Sequence, residues 1–512
     1  MEKIISRAEF HKLRQSFREQ HKTVVLCHGV FDLLHYGHIE HLQEAKAQGD
    51  ILVVSVTASK YVNKGPGRPY FNDQQRMYFL TSIGFVDYVL LSEATTVHDV
   101  VKNVQPDVYV KGQEYADSQN DVTGNIDSER EIVEQYGGHI YFTKGEVYSS
   151  TKLLNNFFDA LPKEVIRESR NLHLKYGDDI FDQMCRRIDE FSKLKVLVVG
   201  DVILDDYIFC KVQGLTMKDT TMSTLYDFEE RYAGGSLAVA RHLANFAGKV
   251  TLLSQMGPET DVVDYIMKMM PNIECRIVQS KNFITPIKRR YLKRHPLRQE
   301  YDKLFSINYL LNKEQIRQID YGNFNRNLKE LVPNYDVVVV CDYGHGLLQE
   351  NAIRFIEDNS TFMAVNCQTN SSNYGFNSIA KYHRADAFTV DERELYLALG
   401  QSTENLSVLL RRLHDMLNSK YAWVTLGAEG AIGIKNEEEA HLSAVTLHVK
   451  DTVGAGDAFY SLAVLSAAAN VPLDQATLIA NIAGAIKTNY VGNSRPVAKV
   501  DLLKFLSTVL NV

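Results

Sequence analysis

Residues 24–50 read V-V-L-C-H-G-V-F-D-L-L-H-Y-G-H-I-E-H-L-Q-E-A-K-A-Q-G-D, and the fold follows from them. The apolar run Val24 to Cys27 predicts a parallel strand buried on both faces. Gly29 allows a tight turn, Phe31 and Asp32 follow, and His35-Tyr36-Gly37-His38 opens a helix that runs to about Gln48. A helix start offers N–H groups without intrahelical partners and the positive end of a dipole. Gly37 lets a phosphate approach the backbone, while His35 and His38, three apart, share one helical face. Two imidazoles at such a helix start suit a polyphosphate whose charge grows during displacement. A metal site is the competing reading of H-x-x-H, but no third ligand stands nearby at a familiar spacing.

The string G-V-F-D-x-x-H-x-G-H resembles the signature of the HxGH nucleotidyltransferases, which join a nucleoside monophosphate to a phosphorylated small molecule. The resemblance places Gly29, Phe31, Asp32 and Gly37 around the nucleotide phosphates. It makes His35 and His38 the charge-stabilising catalytic pair and has Lys46, on the same helix, bind phosphate.

The chain of 512 residues is too long for one ordinary core and predicts at least two domains. It is 45% hydrophobic and 23% charged, the composition of a globular protein, and its net charge of −7 argues against a general nucleic-acid footprint. No apolar stretch is long enough to span a bilayer, and the first residues, M-E-K-I-I-S-R-A-E-F-H-K, do not read as a signal peptide. Six scattered cysteines without a C-x-x-C pair predict reduced thiols and a cytoplasmic location.

The first domain is expected over residues 1–158. A helix over 7–20 precedes the first strand, and Ile51–Val56 is the second. Strand, helix and strand make a right-handed crossover, so the expected fold is α/β and Rossmann-like. Further strands are predicted at Val86–Leu91, 106–112 and Ile140–Thr143, with helices starting near Asn72 or Asp73 and over 128–136. The loop Lys64-Gly65-Pro66-Gly67-Arg68-Pro69 reads as a solvated turn or a mobile cationic lid. The HxGH resemblance implies that Arg68 and Arg76 bind nucleotide. The segment P-D-x-x-V-K-G at 106–112 resembles the heptose-phosphate branch, which implies roles for Asp107 at the sugar phosphate and for Lys111 and Gly112 at the nucleotide. The hydroxyl cluster Ser149-Ser150-Thr151 reads as a helix cap, and by resemblance as a phosphate contact. The implied chemistry is in-line attack by a sugar 1-phosphate oxygen on an α-phosphorus, with Mg²⁺ bridging phosphate oxygens.

Residues 159–193 are charged and helical in pattern and read as a linker. From residue 194 to 512 a second α/β domain is expected. K-V-L-V-V-G-D-V-I-L-D at 195–205 is a buried strand entering a turn, and 217–231 alternates loosely as a small β-lid. The decisive stretch is D-T-V-G-A-G-D-A-F at 451–459. Its glycines place N–H groups at a helix start as an anion hole, and Asp457 stands where a carboxylate can take a hydroxyl proton.

This stretch resembles the signature of the ribokinase-like (PfkB) sugar kinases, and G-D-V-x-L-D, the glycine pair at 234–235 and D-Y-x-x-G at 342–346 match that family in order. The resemblance makes Asp457 the catalytic base and Gly454, Ala455 and Gly456 the anion hole. Asp205 and Gly235 would touch sugar, Thr425 and Gly427 would border ATP, and Asn481 would lie near the adenine. Together the halves resemble the bifunctional enzymes of ADP-heptose synthesis, with the domain order reversed. Nucleoside triphosphates, ATP with CTP as the alternative at the first site, and sugar phosphates are the implied partners, and a homodimer through the lid is a further implication.

Three segments depart from the kinase pattern. The family's G-G-A-A-N reads Gly234-Gly235-Ser236-Leu237-Ala238, its D-P-K reads Asn366-Cys367-Gln368, and its T-P-N-x-x-E reads Thr389-Val390-Asp391-Glu392-Arg393-Glu394. The leading expectation is a two-site enzyme; these departures keep open a nucleotidyltransferase with a regulatory kinase fold, and the choice of base keeps open a cytidylyltransferase for a polyol or sugar phosphate. Lys288, Arg289 and Arg290 read equally as a substrate-phosphate site and as a basic surface run.

Overall fold

The computed structural model describes residues 3–62, 69–94, 96–113, 126–144, 161–216, 219–294, 301–370, 373–400, 403–445 and 449–511. Arg68, Ser149, Ser150 and Thr151 lie outside the described residues. The chain divides into two compact units, Met1–Ile166 with Leu503–Val512, and Arg167–Leu502.

The first unit is built on a parallel sheet of β1 (Val24–Gly29), β2 (Ile51–Thr57), β3 (Tyr88–Ser92), β4 (Val108–Lys111) and β5 (His139–Phe142), in the order β3-β2-β1-β4-β5. Val24 to Cys27 are fully buried because helices cover both faces. Phe10 and Phe17 of the helix Arg7–Glu19 pack on one face with Val100 and Val101, and Leu42, Ala45, Met77 and Leu80 pack on the other. Asn72 caps the helix Asp73–Thr81 in a reciprocal box with Gln75. Connections run outward from β1 to β3, then return to β4 on the other side of β1. That reversal opens a crevice at the carboxyl ends of β1 and β4, the standard ligand position in such sheets.

The second unit holds a nine-stranded sheet, ordered β10 (Glu274–Gln279), β9 (Lys249–Met256), β6 (Lys195–Gly200), β13 (Val337–Asp342), β14 (Met363–Cys367), β15 (Ala387–Asp391), β16 (Tyr421–Thr425), β17 (Ala431–Lys435) and β18 (Glu438–Leu442). All neighbours are parallel up to β16, and the last two strands are antiparallel. The lid is larger than the sequence pattern suggests. It is a second sheet of β12 (Tyr301–Tyr309), β11 (Ile287–Arg294), β7 (Val202–Leu215) and β8 (Met222–Gly235). β8 and β12 are largely exposed, while β7 is buried along Val202 to Cys210, so apolar periodicity marked only part of it. The segment read as a linker forms the helices Lys163–Tyr176 and Ile180–Glu190. Among the described residues no helix is long and apolar enough to cross a membrane, and all six cysteines are free thiols.

Candidate active sites

In the first unit, the turn after β1 is held in an uncommon backbone. Phe31 is left-handed, with φ of +49°, and its ring folds back over Gly29. A Cβ on Gly29 would lie 3.2 Å from that ring, so glycine is what lets the aromatic close down. Asp32 is buried and accepts from the Phe71 N–H at 3.0 Å, tying the turn to the next helix. His35 is the extended N-cap of the helix Tyr36–Lys46, and its carbonyl accepts from the His38 N–H at 2.9 Å. The His35 and His38 rings lie 4.0 Å apart, centre to centre, with Phe31 5.6 Å from His38. No acidic residue occupies the first helical turn, so nothing there competes with an anion for the dipole.

The floor of this site includes a residue that the motif left unassigned. His28 Nδ1 lies 3.2 Å from Ser55 Oγ, and Nε2 lies 3.4 Å from Thr57 Oγ1. Burial, aided by the Lys111 charge, pushes its pKa down to about 3, so it is neutral at physiological pH. At the end of β4, Lys111 pairs with Glu129 at 2.7 Å. Its carbonyl accepts from Thr143, whose Oγ1 lies 3.1 Å from His41 Nδ1. The ends of β1, β4 and β5 therefore meet the histidine helix.

Three residues assigned to ligands by resemblance are engaged elsewhere. Lys46 closes the far end of the helix, bonding the Asp50 carbonyl at 2.5 Å and Asp87 at 2.6 Å. It stands at the amino edge of the sheet, away from the histidines. Asp107 precedes β4 on that same edge, accepting from Arg14 and from the Val24 N–H, each at 2.7 Å. Arg76 is fully buried, and all five of its N–H donors are used. Nε serves Phe71 O at 3.0 Å, Nη1 serves Val30 O at 2.7 Å and Thr57 O at 2.8 Å, and Nη2 serves Ser59 Oγ and Asp73. Arg76 thus braces the turn after β1, and its donors are all committed within the protein.

In the second unit, the 451–457 loop runs into the helix Ala455–Ala468, whose N-cap Gly454 has φ of +83°. A Cβ there would collide with Asn493 Oδ1. Asp451 ties the loop down by accepting from the N–H groups of Val453 at 3.1 Å and Gly492 at 2.9 Å. The Ala455 N–H donates to Thr452 O at 3.2 Å.

The loop borders a cleft of about 230 Å³ lined also by Asp205, Gly235, Lys288, Arg290, Tyr343, Gln368, Asp457 and Asn493. Asp457 is buried and accepts from Tyr343 OH at 2.9 Å. Burial raises its pKa to about 6, opposed by that hydrogen bond and by Lys288 and Lys487. It is ionised at neutral pH, yet close enough to pH 7 to accept a proton in a transition state.

Strand alternation sorts the basic run. Lys288 and Arg290, two apart on β11, reach the cleft, where Arg290 pairs with Asp205; Arg289 points to the other face and pairs with Asp206 at 3.1 Å. The glycine pair is steric: a Cβ on Gly234 would strike the Asp205 carboxylate, and Gly235 has φ of +59°. Thr425, Gly427, Ala455 and Asn481 do not line this cleft. Both hydrogens of the Asn481 amide go to the carbonyls of Leu442 and Ser443, at 3.1 and 3.3 Å.

The departures from the kinase pattern acquire structural roles. Ala238 is buried in the helix Ser236–Ala244. Asn366 donates to Thr389 O and Oγ1, each at 3.1 Å. Glu394, raised to about 7 by burial and Asp391, accepts from the N–H groups of Thr369 and Asp391 in a helix cap. The amides of Asn370 and Asn373 both donate to Tyr343 O, so these two asparagines buttress the tyrosine that holds Asp457. Among the described residues no group of three or more His, Cys, Asp or Glu is arranged to hold a metal.

Comparison with known proteins agrees with this division. Residues 26–156 match the cytidylyltransferase-like family model, and residues 319–499 match the pfkB family carbohydrate kinase model. The chain is 34% identical over 140 residues to the bifunctional protein HldE of Syntrophotalea carbinolica, covering 27% of each chain. It is 36% identical over 155 residues to that of Koribacter versatilis, covering 30% of each. The match thus spans less than a third of the length of these curated relatives. Phosphofructokinase-2 from Escherichia coli in complex with potassium is 16% identical, with 62% of this chain and 99% of that chain covered at a TM-score of 0.49. The protein is therefore similar to a cytidylyltransferase-like domain in its first part and to a pfkB carbohydrate kinase in its second.

Proposed function

We propose that the chain carries two transferase sites that together make a nucleotide-activated sugar. The product is ADP-heptose, formed by way of heptose 1,7-bisphosphate and heptose 1-phosphate, for surface glycan synthesis in the cytoplasm. The observation that carries the kinase half is the pairing, in one cleft, of an ionised Asp457 at an anion-binding helix start with Lys288 and Arg290. The carboxylate takes the proton of the anomeric hydroxyl as its oxygen bonds to the γ-phosphorus of ATP and ADP departs. The two cations suit a phosphate that the sugar already carries.

In the first unit, a sugar 1-phosphate oxygen attacks the α-phosphorus of a nucleoside triphosphate and pyrophosphate leaves. His35 and His38, stacked at the helix start, stabilise the charge that develops. Mg²⁺ entering with the nucleotide would supply charge neutralisation at both sites.

Leu215, Met222, Leu225, Tyr226 and Phe305, each about half or more exposed on the lid, support association of two copies through that sheet. A second reading, in which the kinase fold only regulates or scaffolds, is favoured by Ala238, a methyl where the family pattern has a sugar-contacting asparagine.

The test is mass spectrometry of products from heptose 7-phosphate or heptose 1-phosphate with Mg²⁺ and ATP or CTP. A bisphosphate lost only in Asp457→Ala and a nucleotide-heptose lost only in His38→Ala are expected. A nucleotide-heptose without any bisphosphate would overturn the heptose-kinase assignment.

A further inference from the structure

Behind the anion-binding loop, and outside the cleft itself, lies a fully buried lysine. Lys487 is the penultimate residue of the helix Leu473–Thr488 and is 1% exposed. Lysines are almost never buried to this degree without a partner. Here Nζ donates to the carbonyl of Val453 at 2.8 Å, inside the 451–457 loop. The stem packs on the same turn, since a Cβ on Gly454 would lie 3.1 Å from Lys487 Cε.

The groups facing the ammonium are Asp451, Asp457 and Asp205. His242 is also close, but burial pushes its pKa down to about 3, and its Nδ1 accepts from the Val497 N–H at 3.0 Å, so it adds no competing charge. Asp457 is faced in turn by Tyr343, Asp205, Lys288 and Lys487.

We propose that Lys487 is a positioning residue for phosphoryl transfer: its ammonium fixes the Val453 carbonyl and gives the anion-binding turn a built-in positive charge. The inference rests on the kinase reading above. If the loop needed only a donor for Val453 O, a neutral side chain would serve without burying a charge. An ammonium adds what a neutral donor lacks, a field that favours both an ionised Asp457 and the charge developing on the phosphoryl oxygens. Burial lowers Lys487 itself to about 8, so its charge is present below that pH and lost above it.

The experiment compares the wild type with Lys487→Met and Lys487→Arg in the full chain. The wild-type kinase rate is expected to rise through pH 6 as Asp457 ionises and to fall through pH 8 as Lys487 loses its proton. Lys487→Met, close in shape but neutral, is expected to lower kcat by about 10 to 100-fold, with the sugar KM within about twofold. Its alkaline fall should vanish and its acid limb should move up. Lys487→Arg, charged at every accessible pH, should retain activity above pH 8.

A non-turnover readout separates the two claims. The affinity for ADP is measured with and without fluoroaluminate, a mimic of the transferring phosphoryl group, in Mg²⁺ and a sugar phosphate. The wild type should bind ADP more tightly with fluoroaluminate, and Lys487→Met should lose most of that gain while binding ADP alone normally. A gain that persists in Lys487→Met, or an unchanged alkaline limb, would overturn the role of Lys487 while leaving the kinase reading intact. No gain and no turnover in the wild type would overturn both.

Discussion

Replacing Arg76 by methionine separates scaffold from ligand in the first unit. Methionine keeps much of the apolar stem and removes all five donors. Two of the abandoned acceptors are Val30 O in the turn after β1 and Thr57 O at the end of β2. Phe71 O is a third. An acceptor left unsatisfied in a buried place costs about 1–3 kcal/mol. Asp73 is about a third exposed and can turn to water, so its lost ion pair adds at most about 1 kcal/mol. Some carbonyls will find water, so a total near 3–4 kcal/mol is expected, which corresponds to about 100 to 1,000-fold more frequent local opening.

Hydrogen exchange on the full-length protein reads this directly. Peptides spanning 24–32, 51–60 and 71–81 should lose protection by about two orders of magnitude. Lys at 76 should recover only part of it, because an ammonium has three donors in a different geometry. Nucleotide affinity should fall no further than the opened fraction explains. Wild-type protection together with a tenfold rise in the nucleotide KM would refute the reasoning, since the guanidinium would then be reaching the ligand.

The same logic applies at other positions. Lys46→Ala removes a pair about a third exposed and worth at most about 1 kcal/mol, so the melting temperature should drop by a few degrees and the nucleotide KM should stay within twofold; a large KM effect would return Lys46 to the phosphate site. Gly454→Ala forces a side chain into a left-handed backbone against Asn493 and should reduce kinase kcat by about 100-fold or more, with nucleotidyl transfer unaffected. Arg290→Ala should raise the KM for a phosphorylated sugar by about tenfold or more without changing that for ATP. An equal loss on an unphosphorylated sugar would mean that Arg290 serves Asp205 alone.

The geometry of both candidate turns was legible because their information is local. Strand, glycine, aromatic, acid and histidines lie within fifteen residues from Val24 to His38, and the second loop lies within seven, from Asp451 to Asp457. Backbone geometry over such spans is dictated by glycine freedom and helix capping, which a sequence displays openly. The continuous apolar runs likewise announced parallel strands. The lid was only half visible, since its strands are too polar and too exposed to show a core-facing alternation.

The direction and occupation of each charged side chain belonged to the tertiary structure. Lys46 meets Asp87 41 residues later, Asp107 meets Val24 83 residues earlier, and Arg76 meets Val30 46 residues earlier. Whether a cation is free for substrate depends on which carboxylates and carbonyls the fold brings beside it, and that pairing leaves no periodic trace. The buried Lys487 is the sharpest case. In sequence it is one lysine near a helix end, and only the packing of the helix Leu473–Thr488 against the 451–457 loop places its charge behind that loop. The sequence by itself determined which turns are the candidates for chemistry, because those turns are short and sterically specified. Only the tertiary structure decided which charges serve them, because a charge acts through space on whatever the fold has made its neighbour.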